Sequence, residues 1–62
     1  MNAICMKSYE IENIHFDKGY VEEVQKGERF SPNDYWRVAT DKEVIDFLNT
    51  PDYKRPKGRY FV

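Results

Sequence analysis

The sequence predicts an α+β domain in which a small antiparallel sheet of three to four strands packs against one amphipathic helix, over about residues 41–49. Two observations support this prediction. Several short stretches alternate apolar and polar residues with a period of two, and one later stretch carries a helical apolar stripe. With 62 residues, the chain is expected to form one domain over residues 1–62 with a thin hydrophobic core.

The first half of the chain is predicted to form short strands joined by tight turns. Alternation runs through residues 3–16 and changes phase at Glu12-Asn13. This change indicates a bulge or a tight turn, because a one-residue slip exchanges the two faces of a strand. Residues 20–25 fit either a strand or one face of a short helix, and their two β-branched valines favour the strand.

In the second half, residues 35–40 show the clearest strand pattern. Trp36 and Val38 share one face of this strand and are the expected buried pair, whereas Tyr35 lies on the other face. We expect Trp36 to be a core residue whose face meets the helix. The final residues, 59–62, follow a loop and are predicted to form an edge strand.

The helix is the best-defined element of the sequence. Residues 40–43, Thr-Asp-Lys-Glu, form a capping box, in which Thr40 and Glu43 each bind the other's backbone amide. Pro51 cannot continue a helix, so the helix is expected to end near residue 49. The apolar stripe of the helix is expected to face the sheet and consists of Val44, Ile45, Phe47 and Leu48.

Composition excludes several classes of protein. Hydrophobic residues make up 40% of the chain and aromatic residues 16%, which is too apolar for an intrinsically disordered chain. No apolar run approaches the roughly 20 residues of a membrane span. One cysteine and one histidine cannot form an intramolecular disulfide or an ordinary zinc site. We expect a cytoplasmic protein without a metal or a cofactor.

His15 and Asp17 form the only pair in the sequence that resembles a catalytic arrangement. A strand would place both side chains on one face, but a general base also needs a nucleophile or a held water molecule nearby. Cys5 is not expected to serve as the nucleophile, because it lies near a terminus that we expect to be flexible. The sequence therefore predicts a protein that is not an enzyme, with His15 as an ordinary strand residue.

The charges are divided unevenly along the chain. Residues 1–51 contain six basic and ten acidic residues, whereas residues 52–62 contain four basic residues and one acid. Aromatic residues alternate with the basic ones in this last segment, and such a pattern can clamp phosphates and stack bases. A nucleic-acid interface is therefore one alternative, with Tyr53, Arg55, Lys57, Arg59 and Phe61 as its candidate residues.

The first hypothesis is a small non-enzymatic binding protein that occupies a site on a larger protein. Its acidic body would imitate the charge of nucleic acid towards a basic partner. The candidate contact residues are exposed aromatic and acidic side chains: Tyr35, Tyr53, Tyr60, Glu22 and Glu23. A further alternative is an oligomeric small-ligand binder with its pocket between subunits. A homodimer is also expected, because a core this small gives limited stability and strand 59–62 offers an edge for pairing.

The stretch DYWRVATDKEVIDFL, residues 34–48, resembles a strand–capping-box–helix segment of small uncharacterised proteins from bacteriophages and prophages. In that segment an aromatic-Arg-x-Ala-Thr run leads into a short acidic helix that ends in Phe-Leu. The resemblance covers about a quarter of the chain. It implies a small protein in the host cytoplasm that modulates or inhibits a host protein, and it implies no catalytic residue.

Overall fold

The computed structural model describes residues 1–62 and contains six short strands and one helix. The elements in chain order are β1 (Asn2–Cys5), β2 (Tyr9–Ile11), β3 (Ile14–Phe16), β4 (Val21–Glu23), β5 (Trp36–Val38), α1 (Asp41–Asn49) and β6 (Gly58–Phe61). The strands form two antiparallel sheets, with the orders β4-β1-β5 and β2-β3-β6. The α+β class is confirmed, with the strands divided between two sheets.

Local sequence signals account for most of the strand boundaries. The phase change at Glu12-Asn13 is a two-residue hairpin turn between β2 and β3, in which both residues have positive φ values of 51° and 67°. This backbone matches the primed turns that suit the twist of a hairpin. The ambiguous segment 20–25 contains the strand β4, and β6 lies at a sheet edge, so both strand predictions are confirmed.

The β4-β1-β5 sheet is the central layer of the molecule. Strand pairing places Ala3 beside Val38 on one face and Ile4 beside Arg37 on the other. The face of Ala3 packs on the second sheet, and it also carries Trp36, two residues before Val38. The face of Arg37 lies under α1, where Arg37 donates to Glu43 at 2.7 Å between Nη1 and Oε1.

The prediction that Trp36 and Val38 form a buried pair facing the helix is therefore wrong in part. Trp36 is a half-buried core residue, but it points to the second sheet, where its Nε1–H donates to the hydroxyl of Tyr9 at 2.7 Å. Val38 shares that face and is 48% exposed, so it is not a buried residue. The helix lies on the opposite face, where Arg37 binds the carboxylate of Glu43 in the first turn of α1.

The core is centred on aromatic rings between the two sheets. Phe16, which is 7% exposed, lies with its ring centroid 5.0 Å from that of Tyr9, 5.6 Å from Trp36 and 6.2 Å from Tyr20. These four residues are called the aromatic cluster below. Edge-to-face and offset ring contacts of this kind add stability beyond the apolar area that they bury.

Cys5 is a core residue and does not lie in a flexible terminus as expected. It is 1% exposed, and its Sγ donates to the carbonyl oxygen of Lys7 at 3.0 Å. Burial raises the pKa of the thiol, because the charged thiolate would lose its hydration there. The reason for its burial is that the N-terminal strand β1 occupies the centre of its sheet.

The capping box at the start of α1 is confirmed, and the helix spans Asp41–Asn49. The amide of Glu43 donates to Thr40 Oγ1 at 3.2 Å, and the amide of Thr40 donates to Glu43 Oε1 at 2.9 Å. Replacing Thr40 with Ala should cost about 1 kcal/mol and lower the melting temperature by roughly 4–8 °C. Circular dichroism melting would measure this shift, with Thr40→Ser, which keeps the capping hydroxyl, as the control. A melting temperature unchanged by Thr40→Ala would contradict the prediction.

The same box should make the stability of the protein depend on pH. The guanidinium of Arg37, followed by the Thr40 amide, lowers the pKa of Glu43 from 4.5 to about 2. A carboxylate with a lowered pKa stabilises the folded state above its unfolded pKa, and this stabilisation is lost as the pH falls towards the folded pKa. Urea unfolding of the native protein and of Glu43→Gln should therefore differ most above pH 4.5 and converge near pH 2. A difference that stays constant across this range would contradict the assignment.

Candidate functional site

One side of helix α1 leaves apolar side chains uncovered. None of the helix residues is buried, and Ile45 and Leu48 are 56% and 61% exposed. Next to them, the helix and the central sheet enclose an open groove of about 450 Å³. This helix groove is lined by Val44, Phe47 and Leu48 of α1 and by Asn2, Val21 and Glu23 of the sheet. The stripe was expected to face the sheet as a whole, but only Val44 and Phe47 are half-buried, whereas Ile45 and Leu48 are exposed.

Polar side chains bind both ends of the helix. At its N-terminus, Arg37 binds Glu43. At its C-terminus, Nη2 of Arg55 donates to the carbonyl oxygens of Leu48 at 3.0 Å and of Thr50 at 2.9 Å. These contacts satisfy carbonyl groups that have no partner within the helix, and they place a positive charge at the negative end of its dipole.

Arg55 also covers one side of Phe47, because its guanidinium lies 5.0 Å from the centre of that ring. The ring of Tyr20 contacts Phe47 from another direction, with 6.0 Å between the centroids. Phe47 is therefore the residue of the stripe that joins the helix to the aromatic cluster. Ile45 and Leu48 have no such neighbours, and they stay available for contact with another molecule.

The unpaired charges of the helix and of the groove wall are acidic. Glu23 and Asp41 are exposed and form no ion pair. Lys42, the only basic residue of the helix, is bound to Asp46 through a bond of 2.7 Å between Nζ and Oδ2. An apolar centre with an acidic rim is an arrangement that can bind a basic protein surface.

The three tyrosines predicted as contact residues lie on different surfaces. Tyr35 packs its ring on Tyr9 with 4.8 Å between the centroids. Tyr53 is 80% exposed in the loop after the helix. Tyr60 lies on the outer face of the second sheet, where its hydroxyl donates to Asp17 at 3.1 Å. These residues do not form one site.

The two predicted glutamates are also separated. Glu22 faces the second sheet, where it forms an ion pair with Arg59 and accepts a hydrogen bond from the hydroxyl of Tyr20 at 3.3 Å. Glu23 points to the opposite face, since successive residues of a strand alternate. Of the five predicted contact residues, only Glu23 lines the helix groove.

The basic C-terminal segment uses most of its charges within the chain. Arg55 caps the helix, Lys57 Nζ donates to the carbonyl oxygen of Asp52, and Arg59 pairs with Glu22. Tyr53 and Phe61 are about four-fifths exposed, at 80% and 79%. The three basic residues of the nucleic-acid alternative are therefore engaged within the chain, whereas its two aromatic residues are exposed.

His15 and Asp17 do meet, with 3.1 Å between Nε2 and Oδ1. The same Asp17 oxygen accepts from Tyr60, and its other oxygen accepts from the amide of Lys57 at 2.9 Å. The Lys57 amide, followed by the Tyr60 hydroxyl and His15, lowers the pKa of Asp17. This carboxylate fastens the segment before β6 to β3. No three His, Cys, Asp or Glu side chains converge in a way that could hold a metal ion.

Comparison with other proteins gives no relative on which to base a function. No protein-family model matches this chain, and no curated protein or solved structure is significantly similar to it. Helix α1 has nine residues and is too short to cross a bilayer.

Proposed function

We propose that this chain is a non-enzymatic binding protein, and that it contacts a partner protein through the helix groove and the exposed residues Ile45 and Leu48. The observation that carries the proposal is that an amphipathic helix buries none of its residues. Exposed apolar surface next to a groove and surrounded by polar groups is typical of protein-interaction sites. A partner would cover Ile45 and Leu48 and fill the groove with an apolar side chain.

The charge of this surface favours a foreign partner over a second copy of the chain. Two copies that met symmetrically through α1 would bring Glu23 and Asp41 of each close to the acidic groups of the other, and like charges oppose such contact. A basic partner would instead complement the rim. The resemblance of residues 34–48 to small phage proteins supports a bacterial host protein as the partner, and modulation or inhibition as the effect.

The proposal can be tested with variants that change only the exposed surface. Tagged native protein and the variants Leu48→Ala and Tyr53→Ala would be used to capture proteins from a bacterial lysate, and the captured protein would then be purified for titration calorimetry. Leu48→Ala should weaken binding at least tenfold, as truncation of a central contact residue does. Tyr53→Ala removes a side chain that is even more exposed but lies outside the helix groove, and it should have little effect.

Two further measurements make the result decisive. Both variants should melt within a few degrees of the native protein, because substitutions of exposed residues change stability by about 0.5 kcal/mol or less. Added salt should weaken binding if the acidic rim attracts a basic partner. A partner that binds the native protein and Leu48→Ala equally well would contradict the proposal.

The nucleic-acid alternative predicts a different result. The chain would bind oligonucleotides with an affinity that falls steeply with salt, and Arg59→Gln would weaken that binding. The engagement of Arg55, Lys57 and Arg59 in contacts within the chain counts against this alternative. Fluorescence anisotropy with a labelled single strand would distinguish the two functions.

Homodimer formation is a separate proposal that involves β6. This strand pairs with β3 on one side only, and it is followed by Val62, which is 64% exposed. Pairing of two β6 edges would cover this edge and the exposed Phe61 without using the helix groove. Sedimentation equilibrium should show a mass above the 7.5 kDa of the chain. A mass of 7.5 kDa at all concentrations would contradict dimerisation.

A further inference from the structure

A second concave site lies on the other face of the central sheet, away from the helix groove. It is an open cleft of about 300 Å³ between the two sheets. Rings of the aromatic cluster, from Tyr9, Phe16 and Trp36, form part of its lining, together with the ring of Phe30. Its volume is at the lower end of the range found for small-molecule sites, which are lined mainly by apolar and aromatic groups.

One positive group of this inter-sheet cleft is fixed in place. Arg59 is the extra residue of a β-bulge opposite β3, and it has a positive φ of 58°. The bulge directs its guanidinium over the ring of Phe16, 6.0 Å from the ring centre. There Nη2 donates to Oε2 of Glu22 at 2.9 Å. The charge of Arg59 is thus balanced by a carboxylate of the other sheet.

A second positive group of the cleft has no carboxylate partner. Arg29 is exposed, lines the cleft beside Phe30, and makes neither an ion pair nor a side-chain hydrogen bond. Its guanidinium therefore keeps all of its donors free, on a residue that lines the same cleft as the aromatic rings. A free guanidinium beside aromatic rings can bind an anionic group while the rings stack on a planar one.

We propose that the inter-sheet cleft binds a small planar aromatic anion, with its ring against the aromatic lining and its carboxylate or phosphate on Arg29. A ligand of one or two fused rings fits the volume of the cleft. Glu22 disfavours a ligand with several negative charges, because its carboxylate lies in the same lining. This site is independent of the proposed protein contact, since the central sheet separates the two.

Trp36 reports directly on ligand binding, because it is the only tryptophan and it lines the cleft. Titration of ¹⁵N-labelled protein with 2-naphthoate should shift the Trp36 indole and Arg29 Nε–H resonances in a saturable way. The neutral 2-naphthamide should bind about 5-fold more weakly, the usual limit for an exposed ion pair. Cyclohexanecarboxylate, which has the charge but no planar ring, should produce no saturable shift.

Matched variants separate the role of Arg29 from general charge effects. Arg29→Gln should weaken 2-naphthoate about 5-fold and leave 2-naphthamide unchanged. Lys26→Gln removes a charge from the same connection between β4 and β5, but Lys26 lies outside the cleft. This control should bind 2-naphthoate as the native protein does. Neither residue makes an ion pair, so the folded state should be preserved.

Titration with adenosine monophosphate distinguishes a site for nucleotide phosphates from a site for aromatic carboxylates. Tighter binding than 2-naphthoate would assign the site to nucleotide phosphates, and weaker binding would assign it to aromatic carboxylates. The absence of saturable Trp36 shifts with both probes would overturn the proposal. An equal loss of 2-naphthoate binding in Lys26→Gln and Arg29→Gln would also overturn it, because the effect would then be that of net charge alone.

Discussion

Replacing Phe16 with Ala should remove a large part of the free energy of unfolding of the protein at 25 °C. Truncation of a buried phenylalanine costs about 3–5 kcal/mol, and a domain of this size has a total stability of about 3–9 kcal/mol. Phe16 is one of only four buried residues, and its ring contacts the other three rings of the aromatic cluster. Its loss would open a cavity between the two sheets, in the only layer where they pack face to face.

Urea unfolding followed by circular dichroism would measure this effect. Phe61→Ala is the matched control, because Phe61 lies on β6 of the same sheet but is 79% exposed. For the monomeric protein, its free energy of unfolding should stay within about 0.5 kcal/mol of the native value. Equal stability of Phe16→Ala and the native protein would show that the two sheets are held together by other contacts.

Gly58→Ala should destabilise the protein by about 3 kcal/mol or more, which exceeds the usual cost of one added methyl group in a core. A Cβ atom at this position would overlap Cγ, Cδ2 and Cε2 of the Tyr20 ring. The ring has little room to move, because Phe16, Trp36 and Phe47 surround it. Gly58 does not have a positive φ, so the expected cost is steric.

A double-mutant cycle tests this steric explanation. In a Tyr20→Ala background, the change Gly58→Ala should cost much less than in the native protein, because the overlapping ring is gone. Gly27→Ala provides a conformational control, since Gly27 has a φ of 92° and open space around it. Additive effects of Gly58→Ala and Tyr20→Ala would show that the cost at residue 58 arises from its backbone.

Much of the secondary structure could be predicted because its signals are local. The start of α1 depends on Thr40 and Glu43, which are three residues apart and bind each other's amides. The hairpin turn at Glu12-Asn13 depends on two adjacent residues. Such signals act over a few positions, so the sequence carries them directly.

The candidate site was predicted poorly because it depends on residues far apart in the chain. An apolar stripe such as that of α1 normally indicates a helix face that is buried against the core. Here the helix is held by Arg37 and Arg55, and Ile45 and Leu48 are left exposed. The inter-sheet cleft likewise brings Arg29 and Arg59 beside the aromatic cluster, and no spacing in the sequence indicates that arrangement.

The sequence by itself determined the α+β class, the helix from residue 41 to 49, a bulge or tight turn at Glu12-Asn13 and the edge position of the last strand. The tertiary structure alone decided which side of β5 each neighbour occupies. The rings of Tyr9 and Phe16 cover the face of β5 that carries Trp36. The helix lies on the face that carries Arg37, which binds Glu43. The physical reason is that alternation in a strand defines two faces, but it does not say which element covers which face. That depends on packing against side chains that are far away in the sequence.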